Sequence, residues 1–301
     1  MTPIASEPTP SESPQVRNQA PIPTHSHPLT PPQPQPLNVW ETPAFIASRR
    51  DVITGGSCGL IHLLPSGHVR KDVYPEFSDK RTIGYLELES RIYARLPRHP
   101  RLLQMIRYSS DEGLVLEYMP NGNLGCYLRG EEPRTHLQSE EWPLRGEVDI
   151  TPAQRLQWAC DAAEGLQVLH EHGVLHCDVR SDNFLLDEEL RLKIIDFEGS
   201  SLDGGKPSAL EGTRYFLRRP WKEMSTVATE LFALGSTIYE IMTGKQPYVE
   251  LRDEEVTALF VQKCFPPVDH LPCGDIIMKC WLSEVHSAKD AYTLIKARLQ
   301  N

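Results

Sequence analysis

The sequence lacks the features that would place it outside a reducing compartment or in a membrane. No run among its 301 residues approaches the roughly 18 consecutive apolar residues of a bilayer span. The N-terminus has no apolar signal-peptide core, and Arg17 is the single basic residue of the first 48, too few for a mitochondrial presequence. The 7 cysteines are scattered, none as C-x-x-C, and an odd number cannot all pair, which predicts free thiols. Positive charge is also short: a net charge of −10 offers neither a nucleic-acid footprint nor a polybasic membrane anchor. A cytoplasmic chain, or a nuclear one, is the expectation.

Large apolar side chains are nearly absent before Trp40, whereas twelve of the 26 prolines fall in the first 43 residues. Such a segment cannot bury enough surface to offset its ordering entropy, so residues 1–43 read as a disordered proline-rich leader. Its PLTPPQPQP stretch holds P-x-x-P spacings that an SH3-type partner could dock, although a solvated leader without a partner is the favoured reading.

Residues 44–300 read as globular, without internal repeats. To about Tyr118 short apolar runs alternate with turns, as strands do, interrupted by helical spacing over 83–96 at Leu86, Leu88, Ile92 and Leu96. The rest is mostly helical. Thr151-Pro152-Ala153-Gln154 predicts a capping box, followed by Leu156, Ala159, Ala163, Leu166 and Leu169, with Gly173 as the stop. A second helix is predicted over 226–242, with Leu231, Leu234, Ile238 and Ile241 on one face and Gly244 after it. LRLKIIDF alternates like a strand, and a polar insert spans about 130–149.

The strongest chemical signal is HCDVRSDN, residues 176–183, followed by IIDF at 194–197. Asp178 is followed five residues later by Asn183 and, thirteen beyond that, by Asp196. Phosphoryl transfer needs a group that orients and deprotonates the acceptor hydroxyl, together with hard oxygen ligands for Mg²⁺. Asp178 suits the first role; Asn183 and Asp196 suit the second. Singly, each is as readily a turn residue.

These two segments resemble the catalytic loop H-R-D-L-x-x-x-N and the D-F-G motif of eukaryotic protein kinases. The resemblance extends over about 45–300: LVLEYMPNGNL is similar to a kinase hinge, ELFALGSTIYEIMTGKQPY to the long helix of the large lobe, and KCWL to a late landmark of tyrosine-kinase-like members. It implies an α+β bilobal fold: an N-lobe antiparallel sheet with one helix over about 44–118, a hinge near 117–121 and a helical C-lobe over 122–300. It also implies ATP and Mg²⁺ as cofactors and proteins as substrates. TGGSCGLI stands at the glycine-rich loop, with Gly56 and Gly59 on glycine positions, Thr54 on a third and Ile61 over adenine. Lys71 of HVRK matches the lysine that holds the α- and β-phosphates, and Val69 packs on adenine. Glu89 matches the lysine's helix partner, with Glu87 as its substitute should the register slip. Leu116 is the gatekeeper position, Glu117 and Met119 offer backbone groups to adenine, and Leu185 lies beneath it. Arg180 stands where a cation offsets γ-phosphate charge.

The chain departs from the pattern at several places. Cys177 replaces the arginine that binds an activation-loop phosphate, which predicts activity independent of such phosphorylation. Glu198 replaces the glycine of D-F-G, adding charge near the metal, with Gly199 beside it as a substitute source of backbone freedom. RRPW lacks the glutamate of A-P-E, and Ser287 stands where its arginine partner belongs, so both members of a buried pair are missing together. GTRYF favours serine/threonine acceptors. Three functions remain open: an active protein kinase, a pseudokinase acting as a nucleotide-binding or scaffold module, and a small-molecule phosphotransferase of the aminoglycoside or choline kinase kind, for which Glu198 speaks.

Overall fold

The computed structural model describes residues 52–55, 59–74, 80–131, 150–220 and 222–300. The proline-rich leader, Gly56 and most of the polar insert lie outside the described residues.

Strands β1 (Val52–Gly55), β2 (Gly59–Leu63), β3 (His68–Val73), β4 (Met105–Ser109) and β5 (Gly113–Glu117) form one antiparallel sheet in the order β1-β2-β3-β5-β4. The register pairs Ile61 with Lys71 and Val69 with Leu116. Helix α1 (Lys80–Arg95) lies against β3, β4 and β5. It begins three residues before the predicted stretch and ends one before it. Its buried positions are Leu86, Glu89, Ser90, Ile92 and Tyr93, whereas Leu88 and Leu96 are half-buried. A glutamate therefore occupies the core-facing stripe, where a charge must find a partner.

The larger lobe opens with α2 (Leu124–Arg129), capped by Asn123, whose side chain accepts from Cys126 N at 2.8 Å. Helix α3 (Pro152–Glu171) starts on Thr151, which accepts from Gln154 N at 3.2 Å. The predicted capping box is half made: the Gln154 side chain donates to Leu190 O instead. Short pairs follow, β6 (Val174–Leu175) with β9 (Ser201–Leu202) and β7 (Phe184–Leu186) with β8 (Leu192–Ile194). The predicted LRLKIIDF strand is thus three residues of β8.

Helix α4 (Val227–Thr243) begins at a Thr226–Thr229 capping box and stops at Gly244, whose φ of 76° is left-handed. Sequence spacing gives it one apolar face, yet 13 of its 17 residues are buried. Such burial marks a central helix enclosed by its neighbours. Helices α5 (Asp253–Val261), α6 (Gly274–Trp281) and α7 (Ala288–Leu299) complete the lobe. The KCWL landmark packs on α4: Trp281 donates to Ser236 Oγ at 2.9 Å, and a Cβ at Gly235 would lie 2.7 Å from Cys280 Cβ. No helix among the described residues is long and apolar enough to cross a membrane.

Candidate active site

Alternation along β3 turns Val69 and Lys71 inward from the sheet. Lys71 Nζ meets Glu89 Oε2 at 2.8 Å, Asp196 Oδ1 at 2.8 Å and Glu198 Oε2 at 2.9 Å. Burial alone would lower the Lys71 pKa, but the three carboxylates, Asp196 foremost, hold it well above its ordinary value. Burial pushes the Glu89 carboxyl up to about 7, with Lys71 opposing the shift. Asp196 moves the other way: burial would raise it, and Lys71 holds it below the usual carboxylate range. Glu87, the substitute partner, points away and is exposed.

The catalytic loop is a turn between β6 and β7 that closes with a single 3₁₀ turn, Ser181–Asn183. Cys177 adopts a left-handed φ of 68°, and its N–H donates to Glu230 Oε1 at 2.6 Å. Glu230 is fully buried in α4, and its second oxygen meets His170 Nε2 at 2.6 Å. The loop is thereby bonded to the central helix. Asn183 Nδ2 donates to Asp178 O at 2.8 Å and to Asp178 Oδ2 at 3.0 Å, which fixes both side chains. With its amide nitrogen so engaged, Asn183 presents its carbonyl oxygen as a ligand atom. Burial raises the Asp178 pKa, with His176 and Arg180 opposing. Arg180 pairs with Asp182, and its guanidinium lies 5.8 Å from the Tyr215 ring centre. His176 accepts no metal role: its Nε2 meets Ile195 O at 2.7 Å, and its ring packs edge-on against Phe197. Phe197 in turn packs on Tyr93 of α1, with centroids 4.9 Å apart, so one aromatic stack ties the loop to the helix bearing Glu89.

Asp196, not the residue at 198, takes the left-handed backbone, with φ of 71°. Gly199 is not the compensating hinge expected from sequence. It is glycine because the returning segment touches it: a Cβ there would lie 2.3 Å from Ala209 Cβ, and its carbonyl accepts from Ser208 and Ala209. Further along, Arg219 Nη2 reaches Glu211 Oε2 at 2.7 Å, and Ser225 Oγ joins both side chains. Both charged side chains are buried, and Arg219 also lies 4.4 Å from the centre of the Phe216 ring. The pair missing at A-P-E therefore has a local replacement that the sequence did not reveal. Ser287, at the lost arginine position, instead caps α7 by accepting from Asp290 N at 3.1 Å. Burial pushes the Cys177 thiol up to about 12, which leaves it unreactive.

At the other end of the cleft, Val69 and Leu116 are buried, while Ile61 and Leu185 are half-buried. Leu185 bridges to Asn123, which seats β7 beside the chain crossing between the lobes. The Glu117 N–H donates to Gln104 O at 3.0 Å, and its carboxylate reaches Lys193 at 2.7 Å. Met119 O accepts from Gly122 N. Gly59 carries a packing reason for being glycine, since a Cβ would lie 1.9 Å from Asp72 O on β3. The donor set at the inner end suits Mg²⁺ with a polyphosphate: hard oxygens from Asn183 and Asp196 beside the Lys71 ammonium. Asp196 keeps 37% of its side chain exposed, whereas Glu89 keeps 1% and Glu198 10%.

Residues 71–295 match the family described as protein tyrosine and serine/threonine kinase. The chain belongs to that protein kinase family. It is similar to the serine/threonine/tyrosine-protein kinase HT1 of Arabidopsis thaliana, 28% identical over 67% of this chain and 51% of that protein. It is also similar to the cytokinesis protein sepH of Aspergillus niger, 33% identical over 66% of this chain and 14% of that protein. With the LysM domain receptor-like kinase 3 of Medicago truncatula it shares 32% identity over 49% of this chain and 23% of the relative. The chain thus spans about half of the first relative and less of the others.

Proposed function

We propose that the chain is an ATP- and Mg²⁺-dependent protein kinase that transfers the γ-phosphate to protein hydroxyls, serine and threonine in preference to tyrosine. One observation carries the reading. Lys71, Glu89 and Asp196, from β3, α1 and the segment after β8, converge within 2.8 Å contacts, although Lys71 and Asp196 lie 125 residues apart. Lys71 would hold the α- and β-phosphates, with Glu89 fixing its position. Asn183 and Asp196 would hold Mg²⁺, which neutralises phosphate charge when bound. Asp178 orients the acceptor hydroxyl and receives its proton. Arg180, paired with Asp182 in the loop, would turn toward the transferred group and offset its charge. Val69, Ile61, Leu116 and Leu185 supply the apolar walls for adenine, and the backbone at Glu117 and Met119 its polar edge. Transfer is then a matter of positioning and charge, which these residues provide.

A second reading, a nucleotide-binding scaffold without transfer, draws on Glu198, which already occupies Lys71. The separating experiment measures labelled phosphate transferred from ATP to mixed protein acceptors by the wild type, Asp178→Asn and Asp196→Asn. The wild type transfers, and each substitution lowers transfer at least about a hundredfold, as expected for loss of a general base or of a metal ligand. Absence of transfer by the wild type, with Mg²⁺-dependent nucleotide binding intact, would leave the scaffold.

A further inference from the structure

Three carboxylates surround the Lys71 ammonium: Glu89 and Asp196 accept hydrogen bonds from it at 2.8 Å each, and Glu198 forms an ion pair with it at 2.9 Å. Two of these, Glu89 and Asp196, are the partners that the kinase pattern itself provides. The third, Glu198, departs from the protein kinase pattern, which has glycine there. Glu198 follows Phe197 and lines a small space together with Gly59, Val73, Thr82 and Leu86, from the sheet and α1. Lys71 and Glu198 are both nearly enclosed, so solvent screens their interaction little. The inner end of the cleft therefore gathers three carboxyl groups around one ammonium. A polyphosphate arriving alone meets an ammonium that is already occupied.

We propose that Glu198 makes this site selective for the metal-bound nucleotide over the free nucleotide, by holding Lys71 against any phosphate that arrives without a divalent cation. The inference rests on the kinase reading of Lys71 and adds a residue to it. A divalent cation changes the balance, because Asp196 and Glu198 are hard-oxygen groups that can turn toward it. Release of Glu198 then frees the Lys71 ammonium to pair with phosphate. Glycine at the same position would leave Lys71 with two carboxylates from the start, so the selectivity belongs to this side chain.

The test is equilibrium binding of a fluorescent ATP analogue to the full chain, in EDTA and in Mg²⁺, for the wild type, Glu198→Gln and Glu198→Gly. Removing one unit of charge a few ångströms from phosphate tightens metal-free binding by about tenfold or more in both variants. With Mg²⁺ the gap closes to about threefold or less, since the carboxylate is then neutralised. Equal affinity of wild type and variants in EDTA overturns the proposal while leaving the kinase reading in place. Binding by none of the three, with or without Mg²⁺, overturns both. Melting curves without nucleotide show that the variants fold. A second measurement needs no variant: in EDTA the wild type binds adenosine at least as tightly as ATP. A tenfold preference for ATP over adenosine in EDTA, about 1.4 kcal/mol, overturns the proposal.

Discussion

As the proposed base, Asp178 would serve two requirements at once. It must be ionised to receive a proton, yet it lies in a half-enclosed loop whose burial raises its pKa above the ordinary aspartate value. The charged form is the active one, so transfer falls as pH falls, and it does so through a value higher than that of a free aspartate. The check is kcat against pH over about 4 to 8, the acidic limb lying above the ordinary aspartate pKa of about 3.9. Asp178 stood out in the sequence because it lies in a short, contiguous motif. Glu89 stood out only through its match to the family's helix glutamate, since alone it reads as a solvated helix carboxylate. Glu230 did not. It reads as a polar residue in a long apolar helix, and its bond to the Cys177 N–H spans 53 positions with no local trace. Nor did the destination of Glu198, because a side chain after a turn can point to either wall of the cleft.

Among the elements, the segment from Asp196 to Pro220 differs most from what its sequence suggested. Loss of both A-P-E partners together implied a fold that packs without that buried pair. The chain instead ties the segment with Arg219, Glu211 and Ser225, eight and six positions apart in irregular backbone that carries no periodic signal. Removing one member of a buried ion pair strands the other. Arg219→Ala is therefore expected to destabilise the fold by about 3–5 kcal/mol in denaturant titrations. The double change Arg219→Met with Glu211→Leu recovers most of that, because no charge is then left alone. The same tie supports phosphate-independent order, since Cys177 offers no cation to a phosphate. Transfer rates before and after exhaustive phosphatase treatment are expected to agree, and a large fall would show that a phosphate holds the segment after all. The helices themselves were read well: α3 and α4 begin at the predicted threonines and end at the predicted glycines, because caps are local chemistry.

For the molecule as a whole, sequence periodicity located the helices but not their depth. A 3.6-residue pattern shows which face is apolar, and α4 carries Thr229, Glu230, Ser236, Thr237 and Glu240 into the interior as well, each held by a neighbour that periodicity does not reveal. The two-lobed plan followed from the order of strands and helices, and the cleft from the motifs on either side of it. The formal charge of −10 has its own consequence for acceptors. A negative surface field gathers cationic partners, and salt weakens it. For a lysine-rich acceptor peptide, KM is expected to rise severalfold between about 50 and 300 mM salt, while a neutral peptide of equal length changes little. Steady-state assays with both peptides decide this.

The buried tie between Glu211 and Arg219 also has a bearing on control. A segment wired by charges that the gene itself encodes is expected to keep its order with or without an added phosphate, which would shift control of this protein to the amount made or to whatever covers its cleft.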